Sequence, residues 1–242
     1  MPHHLVNKGA SVNRNVVVRS IHRADPDVIQ RLGAAGTATV HEAQGRRGFV
    51  GPQLRPIQQG RRIAGSAVTV SCHPGDNLMI HAAVEVCQAG DVLVVTNTAP
   101  STHGMFGELI ATSLMARGVS TLIIDAGVRD THELRDLGFA VWSQHVSCQG
   151  TVKASPGSVN VPVVLGGIAV QPGDVVVADD DGVVVVTRDE AAWAAEQSEA
   201  RIAKEDAARA KLATGALGLD MYGMRTLLAS LGVTYVDSID DL

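Results

Sequence analysis

Residues 62–96 read RIAGSAVTVSC, then HPG, then DNLMIHAAVEVC, then QAG, then DVLVVT, so the hydrophobic pattern changes twice across two glycine-containing breaks. The first and last segments are short, rich in β-branched residues and bounded by turn formers, which predicts strands. The middle segment has a polar start followed by apolar residues over helical length, which predicts a helix. A strand, a helix and a second strand in that order imply a sheet with helices packed on it.

The alternation continues downstream. GELIATSLMARG (107–118) predicts a helix, STLIID (120–125) a strand, DTHELRDLG (130–138) a short helix and FAVWS (139–143) a strand. Upstream, Asp25-Pro26 followed by DVIQRLGAAG supplies an N-cap, a proline at the first helical position and a glycine stop, giving a helix from Asp25 to about Ala35. Residues 159–187 differ: VNVPVVLGGIAVQPGDVVVADDDGVVVVT is a series of β-branched runs split by Pro-Gly-Asp and Asp-Asp-Gly turns, expected as hairpins or a small barrel. Residues 189–212 are rich in Ala, Glu, Lys and Arg and predict a helix projecting from the core, followed by LGLDMYGMRTLLASLG. The expected division is a flexible leader at 1–18, including His3 and His4, a core at 19–188 and a helical extension at 189–242.

With 45% hydrophobic residues in 242, the chain can bury a sizeable core. Its net charge of −5 supplies no global positive field for nucleic acid or an anionic membrane. No apolar run approaches the ~20 residues that span a bilayer, and the first 19 residues have no signal-peptide core, so a cytoplasmic location is expected. Cys72, Cys87 and Cys148 are odd in number and far apart, which reads as buried free thiols rather than disulfides or a zinc site.

The chemistry concentrates at two predicted strand-to-helix junctions. Gly107-Glu108-Leu109-Ile110 opens a helix whose free N–H groups attract a carboxylate, with the Leu109 and Ile110 side chains expected to face the core. Arg129 and Asp130 follow a strand end, where α/β proteins place ligands. Arginine holds a carboxylate or an enolate oxygen in a donor fork, and aspartate is a hard oxygen ligand for magnesium or manganese. The structural alternatives are that Asp130 caps its own helix with Glu133 reaching back, and that Glu108 merely favours a helix dipole. Asp179-Asp-Asp-Gly182 lacks calcium-loop spacing and reads as a hairpin turn. His41-Glu42, and Asp76-Asn77 with His81 one turn on, fit either a site or ordinary polar surface. Arg55, Arg61 and Arg62 read as a solvated edge or subunit contact. Lys153 and Lys204 have no recognisable Schiff-base setting.

Several segments, in order, resemble one family: HRADP, GTATVHEAQGR, GDNLMIH, GELIATSLMARG, IIDAGVRD, QGTVK, SVNVPV, PGDVVVADDDGVVVV and LGLDMYGMR, spanning about Val17 to Tyr235. The sequence is similar to the 4-carboxy-4-hydroxy-2-oxoadipate / 4-hydroxy-4-methyl-2-oxoglutarate aldolases, in the superfamily that includes the regulators of ribonuclease E activity. The resemblance implies an α/β fold of swivelling β/β/α type with a C-terminal helical extension, assembled as a homotrimer or homohexamer with interfacial sites. It also implies a class II pyruvate aldolase using Mg2+ or Mn2+ on a hydroxy-oxo di- or tricarboxylate. Carried over by position, Gly107, Glu108, Leu109, Ile110 and Arg129 bind substrate, Asp130 binds the metal, and Glu205 in KEDAARAKL comes from a neighbouring copy. Ala126 departs from the family's Asp-Gly-x-x-Arg-Asp pattern and affects only the local turn. Two further functions share this fold: a non-enzymatic ribonuclease-regulating protein and a dedicated oxaloacetate decarboxylase. The carboxylate after Arg129 and the long C-terminal helix argue against the first.

Overall fold

The computed structural model describes residues 15–242. Two helices open the fold, α1 (Pro26–Ala35) and α2 (Thr37–Ala43), followed by strands β1 (Arg55–Pro56) and β2 (Ile63–Cys72). Then come α3 (Leu78–Val84), β3 (Val92–Asn97), β4 (Gly104–Phe106), α4 (Glu108–Met115), β5 (Thr121–Val128), α5 (Thr131–Asp136) and β6 (Ala140–Val146). The β-rich stretch forms β7 (Ser158–Val159), β8 (Val163–Leu165), β9 (Ile168–Val170), β10 (Val175–Asp179) and β11 (Gly182–Val186). The helices α6 (Ala191–Ala213), α7 (Gly218–Met221) and α8 (Met224–Ser230) close the chain. Asp25 caps α1 by accepting from the Asp27 N–H, with proline in the first turn and Gly36 at its end.

The main sheet runs β1-β6-β5-β3-β2-β10-β11, with β4 beside β5 and β7 beside β2. Strands β2, β3, β5 and β6 are parallel, whereas β10 and β11 are antiparallel. The β-rich stretch is therefore not a separate barrel. Its hairpin extends the parallel sheet, because β2 pairs with β3 along one edge and with β10 along the other. Fold class follows the resemblance: a mixed α/β domain with a nearly closed, barrel-like sheet and a C-terminal helix.

Strand periodicity gives this sheet two apolar faces. In β3, Leu93 and Val95 pack toward Ile80, Ile110, Leu114 and Leu134 on the helical side. Val92 and Val94 pack toward Trp142, Leu165, Val176 and Val185 on the other. The β8–β9 hairpin covers that second face.

Residues 1–14, with His3 and His4, lie outside the described residues. Of the expected leader, Val16 to Val18 pair with Ser158 and Val159. Arg23 grips the buried Asp91 through two hydrogen bonds of 2.7 and 2.8 Å. Cys72 and Cys87 are buried free thiols whose pKa burial pushes up to about 12. Cys148 corrects the expectation: it is exposed, just beyond the end of β6.

The chain divides into two units, Met1–Ser198 and Glu199–Leu242, with the division inside α6. The second unit contains no buried residue, and Leu217, Tyr222, Leu227, Leu231 and Tyr235 are each more than half exposed. No described helix is long and apolar enough to cross a membrane.

The Asp179–Gly182 turn joins β10 to β11 as a hairpin, as the sequence implies. Buried Asp179 accepts from the N–H and hydroxyl of Thr37 at the start of α2, and its carbonyl accepts from the Trp142 indole at 2.8 Å. Asp179→Ala leaves those Thr37 donors buried without a partner, and urea unfolding should show a loss of about 1–3 kcal/mol.

Candidate functional site

Strands β4 and β5 are parallel neighbours that each lead into a helix, so two helix starts lie side by side. The Arg129 N–H donates to the Phe106 carbonyl at 2.9 Å, continuing the pairing beyond β5. Gly107 follows β4, and Arg129 and Asp130 follow β5. The chain thus folds its two sequence-predicted junctions onto each other.

Asp130 stands at the N-terminal boundary of α5 with φ 55° and ψ 41°, in the left-handed region. Aspartate tolerates that region better than most residues, at a cost of roughly 1–3 kcal/mol. Its side chain makes no capping hydrogen bond to α5, which corrects the capping-box expectation. The left-handed backbone turns the carboxylate toward the neighbouring helix, where Oδ2 accepts from the Glu108 N–H of α4 at 3.1 Å. Arg129 Nε lies 3.5 Å from the same oxygen. Gly107 is required by this approach: a Cβ there would sit 2.3 Å from Asp130 Oδ2.

A small cavity of about 150 Å3 opens at this junction. Gly107, Leu109, Ile110, Arg129 and Asp130 line it, so the structure brings these sequence-predicted residues together. The main-chain N–H groups of Leu109 and Ile110 have no partner among the described residues, as the first turn of a helix leaves them. Ile110 faces the core as expected, but Leu109 does not: it is 77% exposed. Adjacent residues on a helix are rotated by about 100°, so when Ile110 packs inward Leu109 faces the cavity mouth. Glu108 contributes its N–H to Asp130, while its own carboxylate accepts from the Thr112 hydroxyl at 2.8 Å.

The lining also includes Asn77 and His81 of the α3 region and Lys153 from the loop after β6. Asn77 Nδ2 donates to the Met105 carbonyl, and its Oδ1 is a buried acceptor without a partner among the described residues. Burial, and then the charge of Lys153, push the His81 imidazole below its ordinary pKa. Buried Asp76 holds this part of the lining together: Oδ1 accepts from Leu78 N–H, and Oδ2 accepts from Ala154 and Ser155 N–H at 2.7 and 2.6 Å. The sequence flagged Asp76, Asn77 and His81 through their helical spacing. It missed Lys153, which no local signal connects to Arg129.

Two other acidic candidates remain. Glu42 of α2 pairs with Arg46 and is absent from the cavity lining. Glu205 belongs to the second unit, where it pairs with Arg201 at 2.7 Å.

Among the described residues no three His, Cys, Asp or Glu side chains converge. A closed zinc site is therefore not what this donor set offers. Magnesium or manganese fits better, because such an ion can use one or two carboxylates and keep several waters. Asp130 Oδ1, free of hydrogen bonds among the described residues, is the available hard ligand beside the cavity.

The family model described as RraA-like, Aldolase/RraA, matches residues 37–185. A protein of Halalkalibacterium halodurans with the provisional name 4-hydroxy-4-methyl-2-oxoglutarate aldolase is 23% identical over 200 residues, which cover 83% of this chain and 95% of that protein. The solved structure of Streptomyces coelicolor RraAS2, described as an unusual member of the RNase ES inhibitor RraA protein family, has a TM-score of 0.71 and 28% identity, covering 78% of this chain and 99% of that one. The RNA-processing inhibitor RraA of Thermus thermophilus gives 0.51 and 26%, covering 55% and 81%.

Burial alone would raise the Asp76 carboxyl, but the three backbone N–H donors together with the Ser155 hydroxyl hold it below its usual range. Because the folded pKa is lowered, this stabilisation is full above about pH 4 and fades as the pH falls through the folded value. The stability gap between wild type and Asp76→Asn, read from urea unfolding, should be widest near neutrality and shrink in acid below about pH 4.

Proposed function

The chain belongs to the RraA-like Aldolase/RraA family, and from that premise we propose that it is a class II pyruvate aldolase: a divalent-metal-dependent carbon–carbon lyase. Its substrates are 4-carboxy-4-hydroxy-2-oxoadipate, cleaved to pyruvate and oxaloacetate, and 4-hydroxy-4-methyl-2-oxoglutarate, cleaved to pyruvate. The observation that carries the reading is the shared junction: the Arg129 fork, the Asp130 carboxylate and the two free amides of α4 line one small cavity.

The chain's own groups divide the work. The Leu109 and Ile110 N–H groups and the start of α4 hold the carboxylate of the 2-oxo acid end. Arg129 donates to the 2-keto oxygen, where negative charge develops. Removal of the 4-hydroxyl proton drives cleavage of the C3–C4 bond; its electron pair moves into the C2–C3 enol system, and protonation of C3 then yields pyruvate. Asp130 would hold Mg2+ or Mn2+, which when bound supplies Lewis-acid polarisation of the substrate oxygens. A site that stabilises this enolate also suits oxaloacetate decarboxylation as a side activity. The reaction belongs to aromatic-compound catabolism through protocatechuate or gallate, in the cytoplasm.

Glu205 is assigned to a neighbouring copy in a homotrimer or homohexamer. Support comes from the second unit, whose helices expose large apolar side chains and bury none, a composition that calls for a partner surface.

The second reading, a ribonuclease regulator without catalysis, is favoured by the names of the RraA neighbours. Pyruvate release separates the two. With either hydroxy-oxo acid and Mg2+, wild type should release pyruvate and lose that activity in EDTA; no turnover with any metal would reject the lyase. Arg129→Lys keeps the charge but not the planar fork, and turnover should fall by roughly 100-fold or more. Asp130→Asn should abolish metal-stimulated activity while keeping the far-UV circular dichroism of the wild type.

A further inference from the structure

We propose that Lys153, seated beside His81, forms a second anion subsite that takes the carboxylate of the substrate remote from its 2-oxo acid end. The inference rests on the lyase reading for the substrate class, and on the cavity's unassigned lining residues for its place. Arg129, Asp130 and the α4 amides are used by the proposed chemistry, which leaves Asn77, His81 and Lys153, lining the same cavity, without a role.

Lys153 does not sit on a free loop. Before it, Val152 donates to the Gly75 carbonyl at 3.0 Å and accepts from the Asn77 N–H at 3.1 Å. After it, the Ala154 and Ser155 N–H groups are held by buried Asp76. Backbone on both sides of the lysine is thus tied to the segment that starts α3, and its stem emerges at a fixed point on the cavity wall. Among the described residues no carboxylate forms an ion pair with its ammonium. His81 lines the same cavity and feels the lysine charge, which agrees with their closeness.

The charge balance points the same way. Of the two cations that line the cavity, Arg129 has the Asp130 carboxylate 3.5 Å away, whereas Lys153 has no carboxylate beside it among the lining residues and is the cation left for a second substrate anion. The two differ as donors. Arginine's rigid fork suits a planar group in fixed register, whereas the compact ammonium accepts a carboxylate whose position varies. At about 150 Å3 the cavity is small, so a ligand that reaches both Arg129 and Lys153 within it has a short chain. The His81 imidazole adds a further hydrogen-bonding group to the same lining.

Binding of 2-oxoglutarate and of 2-oxopentanoate, two oxo acids of equal chain length that differ in the distal carboxylate and lack a 4-hydroxyl, tests the subsite without cleavage. Titration calorimetry on the intact oligomer with Mg2+ should show wild type binding 2-oxoglutarate about ten-fold or more tighter, as expected for one charge-assisted contact. Lys153→Gln should remove that preference and leave 2-oxopentanoate binding unchanged, while Lys153→Arg keeps most of it. A wild type without the preference, a Lys153→Gln enzyme that retains it, or one that weakens both ligands equally overturns the subsite. Absence of pyruvate release in a wild type that still shows the Lys153-dependent preference would reject the lyase reading and leave the subsite standing.

Discussion

The hydrogen bond from the Glu108 N–H to Asp130 Oδ2 is the contact around which the cavity is organised. It exists because β4 and β5 run parallel and end together, so the start of α4 and the start of α5 meet. It needs Asp130 in the left-handed region, since an ordinary capping geometry would turn the carboxylate back to its own helix. It also needs no side chain at position 107, where a Cβ would collide with the carboxylate. Together these constraints set Asp130 beside Arg129 with one oxygen engaged and the other open. Strain in the backbone is held in place by the packed strands beneath it.

The same device recurs across the first unit. Asp76, Asp91, Asp174 and Asp179 are all buried, and each accepts from main-chain N–H groups. Three of them tie together segments far apart in sequence: Asp76 joins the start of α3 to residues 154 and 155, Asp91 joins β3 to Arg23, and Asp179 joins the β10–β11 hairpin to α2. With aromatic residues at only 3%, loops here are fixed less by large side chains than by carboxylates satisfied by backbone donors. Asp76 shows how this reaches the cavity, since the loop it holds is the one that carries Lys153.

The second unit follows a different logic. The Ala-, Glu- and Lys-rich α6 is stable as a helix by propensity, but Glu199–Leu242 forms no core of its own. Exposed Leu, Tyr and Val side chains in that unit have the composition of a surface that packs on another molecule.

Local chemistry wrote much of this protein directly into its sequence. Asp25-Pro26 fixed the start of α1, the breaks at residues 73–75 and 88–90 separated β2, α3 and β3, and Asp179 to Gly182 fixed a hairpin, because capping, turn conformation and hydrophobic period depend on near neighbours. Arg129-Asp130 and the α4 start were visible for the same reason, as junctions where strand pattern gives way to helix. What only the tertiary structure decided is which elements meet. Period tells which face of a strand is apolar but not its partner, so it could not show that β10 continues the parallel sheet through β2. Nor could it show that Asp130 caps the neighbouring helix instead of its own, that Leu109 faces out, or that Lys153 lines the same cavity as Arg129. Those facts follow from contacts between residues distant in the chain, and no local preference encodes them.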